Sequence, residues 1–278
     1  ENELVEIKEK YADERRTRII KMATEFNPED MYADDDMVIT ISHLGYIKRT
    51  PLADFRQQGR GGVGAKASAA RDEDFIEYVH QANMHSTMMF FTEQGRLYWT
   101  KVYELPEGNR QSKGRALQNM INIQKGDKVC AFIHVKNLND MEYVQNHYLI
   151  FATKDGLMKK TTLESYSRPR ANGIIALGLR EGDRLIRVTL TDGRSQMLVA
   201  SYNGKVVRFP EDTVRPMGRT ATGVRAIKLD EDGQDRVVGM ICVEEGSKDT
   251  VLVISDKGYG KRTLLDDETG EPIYRITN

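Results

Sequence analysis

A short apolar run that ends in Ser or Thr, followed three residues later by Gly and then by a second apolar or basic run, occurs five times along the chain. The copies are ITIS-HL-Gly45, MFFT-EQ-Gly95, IFAT-KD-Gly156, LVAS-YN-Gly204 and LVIS-DK-Gly258. A Ser or Thr hydroxyl can bond the turn backbone, and glycine accepts the positive φ of a tight hairpin turn. The pattern therefore predicts five β-hairpins.

The spacing of these hairpins indicates the architecture. Successive turn glycines are 50, 61, 48 and 54 residues apart, which leaves room for about four strands per repeat, as in propeller blades. The fifth copy reaches Tyr274–Asn278 before its later strands. We therefore predict an all-β, propeller-like fold of about five blades, the last of them incomplete.

The N-terminal segment has a different pattern. Leu4, Ile7 and Tyr11 stand at helical spacing, which predicts a helix over residues 2–22. The stretch NPEDMYADDD, with one Pro and five acids, is typical of a linker. We therefore expect a helical tail and linker over residues 1–30 and a β domain over residues 31–278.

Charge is distributed unevenly although the formal net charge is only −1. Residues 1–36 contain 6 Lys and Arg against 12 Asp and Glu, whereas residues 37–278 contain 35 against 30. No apolar run approaches the roughly 20 residues that span a bilayer, and no basic-then-apolar signal segment begins the sequence. These features predict a cytoplasmic protein with mildly basic repeats.

The residue types that carry out catalysis or bind metals are scattered. The five histidines have no metal-binding spacing, and Cys130 and Cys242 lie 112 residues apart. The glycine-rich stretch GRGGVGAK lacks the Gly-Lys-Ser/Thr ending of a phosphate loop. We expect no catalytic residue, metal or cofactor in this chain.

Basic residues recur at fixed places in the repeats. Four of the five copies are basic at the fourth residue after the turn glycine, and three of these are also basic at the third. These residues are Lys48, Arg49, Lys159, Lys160, Arg208, Lys261 and Arg262. An Arg also precedes a later glycine by three or four residues at Arg60, Arg110, Arg170 and Arg219. Arranged radially, these cations would form an outer belt for a polyanion; alternatively, they only protect strand edges and maintain solubility.

One loop motif occurs once, in the first copy: Gln58–Gly64 has the pattern Q-x-R-G-G-x-G. It closely resembles the gyrase A box, and nearly the whole chain, including ISHLGYIKR and GYGKRTLLDD, resembles the C-terminal domain of DNA gyrase A subunits. The resemblance implies a β-pinwheel, a propeller-like fold with strands exchanged between blades. It also implies DNA binding by Gln58, Arg60, Gly61, Gly62 and Gly64, to which we add Lys66. Gly59 and Val63 depart from the box, where members often have Lys or Arg.

The resemblance further implies a biological role. Duplex DNA would wrap in a right-handed sense around the basic perimeter and be presented to a catalytic core, so that ATP-dependent strand passage adds negative supercoils. The implied partners are double-stranded DNA, the gyrase B subunit and a second gyrase A subunit in an A2B2 assembly. The implied location is the bacterial cytoplasm, at the nucleoid. The catalytic tyrosine, ATP and Mg would all lie outside this chain.

Three alternatives stay open on the sequence. A domain of the topoisomerase IV type would present DNA without a full wrap. A propeller could instead be a platform for other proteins, with the basic doublets serving solubility alone. An enzyme with a site in a central channel is the third alternative, and the scattered titratable residues argue against it.

Overall fold

The computed structural model describes residues 2–14, 16–17, 27–55, 74–231, 233–244, 246–267 and 269–276. The chain divides into two compact units, Glu1–Ala33 and Asp34–Asn278.

The first unit contains one α-helix, α1 (Asn2–Tyr11), and a 3-10 helix at Pro28–Met31, whose first turn is capped by the Asn27 side chain. The prediction of a helix as far as residue 22 is wrong, because residues 12–14 and 16–17 are not helical. Every described residue of α1 is exposed. Short helices in water are marginal unless one face packs against other structure. Among the described residues of this unit, no residue of α1 is buried against other structure.

The second unit is built from strands. In chain order they are β1 (Asp36–Ser42), β2 (Tyr46–Pro51), β3 (Ile76–Asn83), β4 (Thr87–Thr92), β5 (Arg96–Lys101), β6 (Arg115–Ala116), β7 (Val129–Val135), β8 (Tyr148–Thr153), β9 (Leu157–Thr162), β10 (Ile174–Ile175), β11 (Leu185–Thr191), β12 (Ser195–Ser201), β13 (Val206–Pro210), β14 (Val224–Arg225), β15 (Val237–Glu244), β16 (Thr250–Ile254) and β17 (Gly260–Leu264). One short helix, α2 (Met141–Asn146), precedes β8. Further 3-10 turns are Leu52–Asp54, Val102–Glu104, Leu117–Asn119, Leu163–Tyr166 and Glu211–Thr213.

All five predicted hairpins are present, as β1–β2, β4–β5, β8–β9, β12–β13 and β16–β17. Each turn glycine has φ between +74° and +84° and donates its N–H to the carbonyl of the Ser or Thr three residues earlier. In four turns the Ser or Thr hydroxyl also accepts an N–H from the residue after the glycine, at 3.1–3.3 Å. The predicted turn chemistry is therefore confirmed.

The strand that pairs with the first strand of each hairpin, here called the returning strand, is β3, β7, β11 or β15 in sheets 1 to 4. An aspartate two residues before each returning strand closes the turn of the hairpin. Asp127, for example, accepts the N–H of Gln94 at 3.1 Å and that of Lys128 at 2.9 Å through one carboxylate oxygen. The equivalent carboxylates are those of Asp74, Asp183 and Asp235. This repeated side-chain cap joins the returning strand to the hairpin turn of its own sheet.

Each hairpin belongs to its own antiparallel sheet, so the described strands form five sheets. Sheet 1 has the order β3-β1-β2-β6, sheet 2 β10-β5-β4-β7, sheet 3 β11-β8-β9-β14, sheet 4 β13-β12-β15 and sheet 5 β16-β17. The short strands β6, β10 and β14 each follow the next hairpin in sequence but pair with the preceding sheet. Sheets 1 to 3 are therefore completed by a strand exchanged from the following repeat, as expected for a pinwheel.

Three hydrophobic clusters lie between successive sheets, from sheet 1 to sheet 4. Strand β4 shows why its sequence, TMMFFT, is continuously apolar: Met88 and Phe90 pack towards sheet 1, whereas Met89 and Phe91 pack towards sheet 3. All four side chains are 0% exposed. A strand buried on both faces has no polar alternation, so the central hairpin strands form the cores.

The sheet order also indicates which edge faces outwards. Strand β7 contacts β11, and β11 contacts β15, while Tyr78 of β3 packs on Phe132 of β7 with ring centroids 4.8 Å apart. These returning strands therefore line the inside of the arc of sheets. The exchanged strands β6, β10 and β14 form the opposite, outer edge.

We call residues 105–118, 166–178 and 214–228, which include the exchanged strands, the docking segments. Each makes a tight turn at a glycine of positive φ, namely Gly114, Gly173 or Gly223. These glycines lie directly on the second hairpin strand of the preceding sheet, where a Cβ would collide with its backbone. At Gly173 an added Cβ would lie 2.6 Å from the Tyr98 ring and 2.7 Å from the Leu97 carbonyl oxygen.

Replacing Gly173 by Ala should therefore destabilise the second unit strongly. The positive φ costs about 1–2 kcal/mol for a residue with a Cβ, and the collision adds roughly 1–3 kcal/mol. Gly204→Ala is the matched control, since Gly204 has φ +84° with open space around its Cβ position and should lose only the first amount. Urea unfolding of both variants measures the difference. Equal losses would contradict the tight contact at Gly173.

Candidate nucleic-acid interface

Five of the cations predicted to form an exposed belt are buried. They are Lys48, Arg49, Lys159, Lys160 and Arg208, with relative exposures between 0% and 6%. The prediction that they face outwards is therefore wrong, and so is the alternative that they serve solubility. For the cations of sheets 1 and 3 the cause is the strand exchange, because the next repeat covers the strand that carries them. Arg208 of sheet 4 is covered instead by the residues that follow β17, Leu265 and Asp266.

Lys48 shows how a buried ammonium is accommodated. Its Nζ donates to the carbonyl oxygens of Asn109, Arg110 and Ser112 at 2.8, 3.2 and 3.0 Å. All three acceptors belong to the docking segment that turns at Gly114. Burial lowers the pKa of Lys48. The lysine therefore fixes the next repeat onto sheet 1 rather than facing a ligand.

Arg49, one residue on, holds the beginning of the same segment. Its guanidinium donates to the Leu105 carbonyl at 2.7 Å and pairs with the Glu107 carboxylate at 3.1 Å. The backbones of Arg49 and Glu107 also form a parallel bridge. Together, the two cations bind the part of the docking segment that precedes Gly114.

Sheet 3 repeats this arrangement with different partners. Lys159 Nζ donates to the carbonyl oxygens of Ala176 at 2.6 Å and Arg219 at 2.5 Å, and lies 4.8 Å from the centroid of the Phe151 ring. These acceptors are neutral, so burial, reinforced by the positive charge of Arg219, lowers the pKa of Lys159 to about 7. Lys160 instead pairs with Glu211 at 2.9 Å, with both side chains at most 5% exposed.

Sheet 4 uses an arginine. Arg208 pairs with Asp266 at 2.6 Å and donates to the Leu265 carbonyl at 3.1 Å. In sheet 2 the equivalent residues are Tyr98 and Trp99, and the Trp99 indole N–H donates to the Tyr166 carbonyl at 3.1 Å. In sheet 2 the next repeat is therefore attached by the Trp99 indole and not by a cation.

The other predicted site residues have different environments. Arg170, Lys261 and Arg262 are exposed, and Arg110 and Arg219 are half-buried. Gln58, Arg60, Gly61, Gly62, Gly64 and Lys66 lie outside the described residues. The role of the box residues therefore stays a prediction. Among the other predicted residues, the structure brings two pairs together: Lys48 donates to the backbone carbonyl of Arg110, and Lys159 donates to that of Arg219.

The docking segments carry a concentrated positive charge. Together they contain nine Lys and Arg residues against a single acid, Glu107, which is already paired with Arg49. The cations are Arg110, Lys113, Arg115, Arg168, Arg170, Arg215, Arg219, Arg225 and Lys228. Seven are exposed and two half-buried. They occupy the outer edge of sheets 1 to 3, and the second and third segments touch through a hydrogen bond from Gly178 N–H to the Ala221 carbonyl, 3.2 Å.

Sequence reasoning missed six of these nine residues, among them Arg115 and Arg225 on the exchanged strands. The sequence feature that could have indicated these two residues is their position next to a turn glycine: Arg115 follows Gly114, and Arg225 lies two residues after Gly223. Only the exchange of strands shows that this place is exposed, whereas the more regular Lys-Arg doublets are covered.

Metal-binding and membrane-spanning features are both missing from the part of the chain that the structure describes. Within it, no group of three or more His, Cys, Asp and Glu side chains could hold a metal ion. None of the helices in the same ranges is long and apolar enough to cross a membrane.

Comparison with protein families gives a match over most of the second unit. The family described as "DNA gyrase C-terminal domain, beta-propeller" matches residues 36–83, 86–136, 147–192, 196–244 and 249–267. The chain belongs to the DNA gyrase C-terminal domain family. The resemblance stated from the sequence and the predicted all-β pinwheel fold are both confirmed.

Individual relatives agree with this family. The DNA gyrase A subunit of Salmonella typhimurium is 45% identical over 262 residues, which cover 94% of this chain and 29% of the relative. The DNA gyrase A subunit of Staphylococcus epidermidis is 41% identical over 278 residues, covering 100% of this chain and 30% of the relative. The chain thus spans about a third or less of the length of these curated relatives.

Solved structures share the fold. The C-terminal domain of a DNA topoisomerase IV matches with a TM-score of 0.68 and 27% identity, covering 88% of this chain and 72% of that one. A DNA gyrase A C-terminal domain matches with a TM-score of 0.62, covering 82% of this chain and 71% of that one. At 24% identity, the second match supports the fold alone.

The buried Lys160–Glu211 pair should contribute far more to stability than an exposed pair. Glu211→Gln leaves the Lys160 ammonium without a compensating charge and should cost roughly 3–5 kcal/mol. Glu93→Gln is the control, because its partner Arg184 is 52% exposed and the pair is worth less than about 1 kcal/mol. Urea unfolding compares the two variants, and similar losses would show that Lys160 is not held by this carboxylate.

Lys159 should make stability depend on pH in a defined direction. Its pKa is about 7 in the folded protein against an ordinary 10.5. Between these values the unfolded chain binds a proton that the folded chain has released, so stability rises with pH. Wild type should therefore gain stability relative to Lys159→Met from pH 7 towards pH 10.5, by urea unfolding. The exposed Lys136→Met variant should follow wild type, and a constant difference for Lys159→Met would refute the lowered pKa.

Proposed function

We propose that this domain binds double-stranded DNA along the outer edge of its sheets, through the cations of the docking segments. The proposal rests on the charge of the three docking segments. They contain nine Lys and Arg residues and one acid, Glu107, which is paired with Arg49. Lys and Arg that neutralise phosphates release counterions, which supplies affinity without reading bases. The proposed surface replaces the buried doublets of the sequence prediction.

The curvature of the edge favours bending of the bound DNA. The docking segments belong to successive sheets of an arc, so a duplex that contacts all of them follows a curved path. Bending 20–30 bp by 40–90° costs roughly 1–6 kcal/mol, which several phosphate contacts can offset at moderate salt. Binding through phosphates and shape alone predicts weak sequence preference and a steep loss of affinity with salt.

Family membership suggests what the bending is for. We propose that the wrap has right-handed writhe and presents DNA to a catalytic core, where strand passage driven by ATP introduces negative supercoils. In this proposal the domain is not itself catalytic and binds no cofactor. The gyrase B subunit, a second gyrase A subunit, ATP and Mg act through other domains of a cytoplasmic, nucleoid-associated A2B2 enzyme. The box residues 58–64, together with Lys66, would extend the track from the first repeat.

A second candidate is presentation of DNA without a stable wrap, as expected for a domain of the topoisomerase IV type. It is favoured by the TM-score of 0.68 and 27% identity to a topoisomerase IV C-terminal domain. The Q-x-R-G-G-x-G motif at residues 58–64 favours the gyrase type instead. The two functions differ in whether bound DNA changes its linking number.

Wrapping is tested by adding the domain to nicked plasmid, sealing the nick with ligase and separating the topoisomers. A right-handed wrap should shift the linking number positively in proportion to bound protein. The Arg168→Glu/Arg170→Glu variant should reduce the shift. It should also lower the slope of log affinity against log salt by about one for each phosphate that is no longer neutralised.

The matched control is Lys136→Glu/Arg194→Glu, the same charge change at exposed residues outside the docking segments. It should leave the shift nearly unchanged. Binding by wild type without any shift would support presentation over wrapping. Equal loss in both double variants would show that net charge matters and that the docking segments are not the track.

A further inference from the structure

The second and third docking segments are joined by one buried lysine, Lys159. Its Nζ donates to the Ala176 carbonyl of the second segment at 2.6 Å and to the Arg219 carbonyl of the third at 2.5 Å. A third acceptor, the Tyr166 hydroxyl oxygen, lies 3.4 Å away. An ammonium has three N–H donors, whereas a neutral amine has two. The protonated side chain can therefore satisfy all three oxygens, and the neutral side chain must leave one of them without its hydrogen bond.

No described carboxylate balances the charge at this junction. The buried cations Arg49, Lys160 and Arg208 each pair with an acid. Among the described residues, by contrast, neither Lys159 nor the Arg219 guanidinium forms an ion pair, and the buried Nε of Arg219 has no hydrogen-bond partner. Burial and the nearby charge of Arg219 together lower the pKa of Lys159 to about 7. Two cations therefore lie close together on the outer edge, and an anion bound there would favour both charges.

Resting on the DNA track proposed above, we propose that Lys159 is a positioning residue whose protonated form holds the second and third docking segments together, and that a DNA phosphate bound at Arg219 stabilises this form. DNA binding at the junction then takes up a proton. Lys159 is 0% exposed and does not touch the DNA itself. Because linkage is reciprocal, protonation of Lys159 strengthens DNA binding by the same factor by which bound DNA favours protonation.

The groups around the Lys159 side chain leave it as the one that titrates near neutral pH. The side chain faces the Phe151 ring of β8, the Tyr166 hydroxyl, the Ala176 carbonyl and Arg219. Burial raises the pKa of Tyr166, and an arginine keeps its charge at any ordinary pH. DNA affinity should therefore be greatest where Lys159 is protonated and should fall as pH rises above about 7.

Binding of a short DNA duplex at fixed ionic strength, followed by fluorescence anisotropy, tests this dependence. Wild-type affinity should fall roughly threefold to tenfold between about pH 7 and pH 9, since a shift of one unit in the pKa of Lys159 corresponds to tenfold in affinity. Lys159→Met cannot bind the proton and should show no such fall. Lys159→Arg stays charged and should bind more tightly than wild type at pH 9. Lys136→Met, at an exposed lysine outside the docking segments, is the matched control and should keep the wild-type profile.

Wild-type protein also allows a direct measurement, which does not depend on the folding of a variant. NMR titration of the Lys159 ε-carbon should give a pKa near 7 in the free domain and a higher value with saturating duplex. Arg219→Gln should remove this difference, because it removes the proposed phosphate contact. Arg215→Gln, at an exposed cation of the same docking segment, is its matched control and should preserve the difference.

The inference is overturned if the pKa of Lys159 is the same with and without DNA, if Arg219→Gln leaves the difference intact, or if Lys159→Met keeps the wild-type pH profile. In each of these cases, loss of DNA affinity in Arg168→Glu/Arg170→Glu would still support the DNA track. Failure of wild type to bind the duplex at pH 7 would instead overturn the track, and the role of Lys159 with it.

Discussion

The exchange of a docking segment onto the preceding sheet is the constraint on which the described structure depends. Sheets 1 to 3 cannot complete themselves, because the outer strand of each and the residues covering its second hairpin strand come from the next repeat. The exchanged segment carries backbone polar groups into a buried position, where an unpaired carbonyl is costly. Buried Lys and Arg satisfy those carbonyls, and carboxylates from the same repeat compensate part of their charge. The basic doublets are therefore part of the connection between blades.

The docking segments combine two properties because the main chain and the side chains of the same residues point in different directions. The carbonyls of Arg110 and Arg219 accept hydrogen bonds from the lysines beneath them. The basic side chains of these segments contribute to the charge of the outer edge. A substitution that loosens a segment, such as a Cβ at Gly173, should therefore alter the proposed DNA track without touching a cation. Conversely, charge reversal at an exposed arginine should affect DNA binding with little change in stability.

Sheet 5 illustrates the same principle by contrast. Its hairpin has the sequence of the other hairpins and the same turn geometry, with Gly258 at φ +82°. Its apolar and basic side chains are nevertheless exposed, because burial in this fold is provided by the neighbouring repeat and not by the hairpin. The doublet Lys261–Arg262 thus has the same residue types as the buried doublets, without a covering segment among the described residues.

Short-range patterns were enough to specify the local structure: five hairpins, their turn glycines and their hydroxyl-bonded turns all follow from local sterics and hydrogen bonding. They also specified the fold class, because the period of the repeats matches a blade. Which cations are exposed was settled only when the repeats came together. Lys48 and Arg115 are both basic residues on strands, and nothing local distinguishes them. Lys48 is covered, and Arg115 is left in solvent, because the docking segment that contains Arg115, more than 50 residues after Lys48, crosses to the sheet of Lys48.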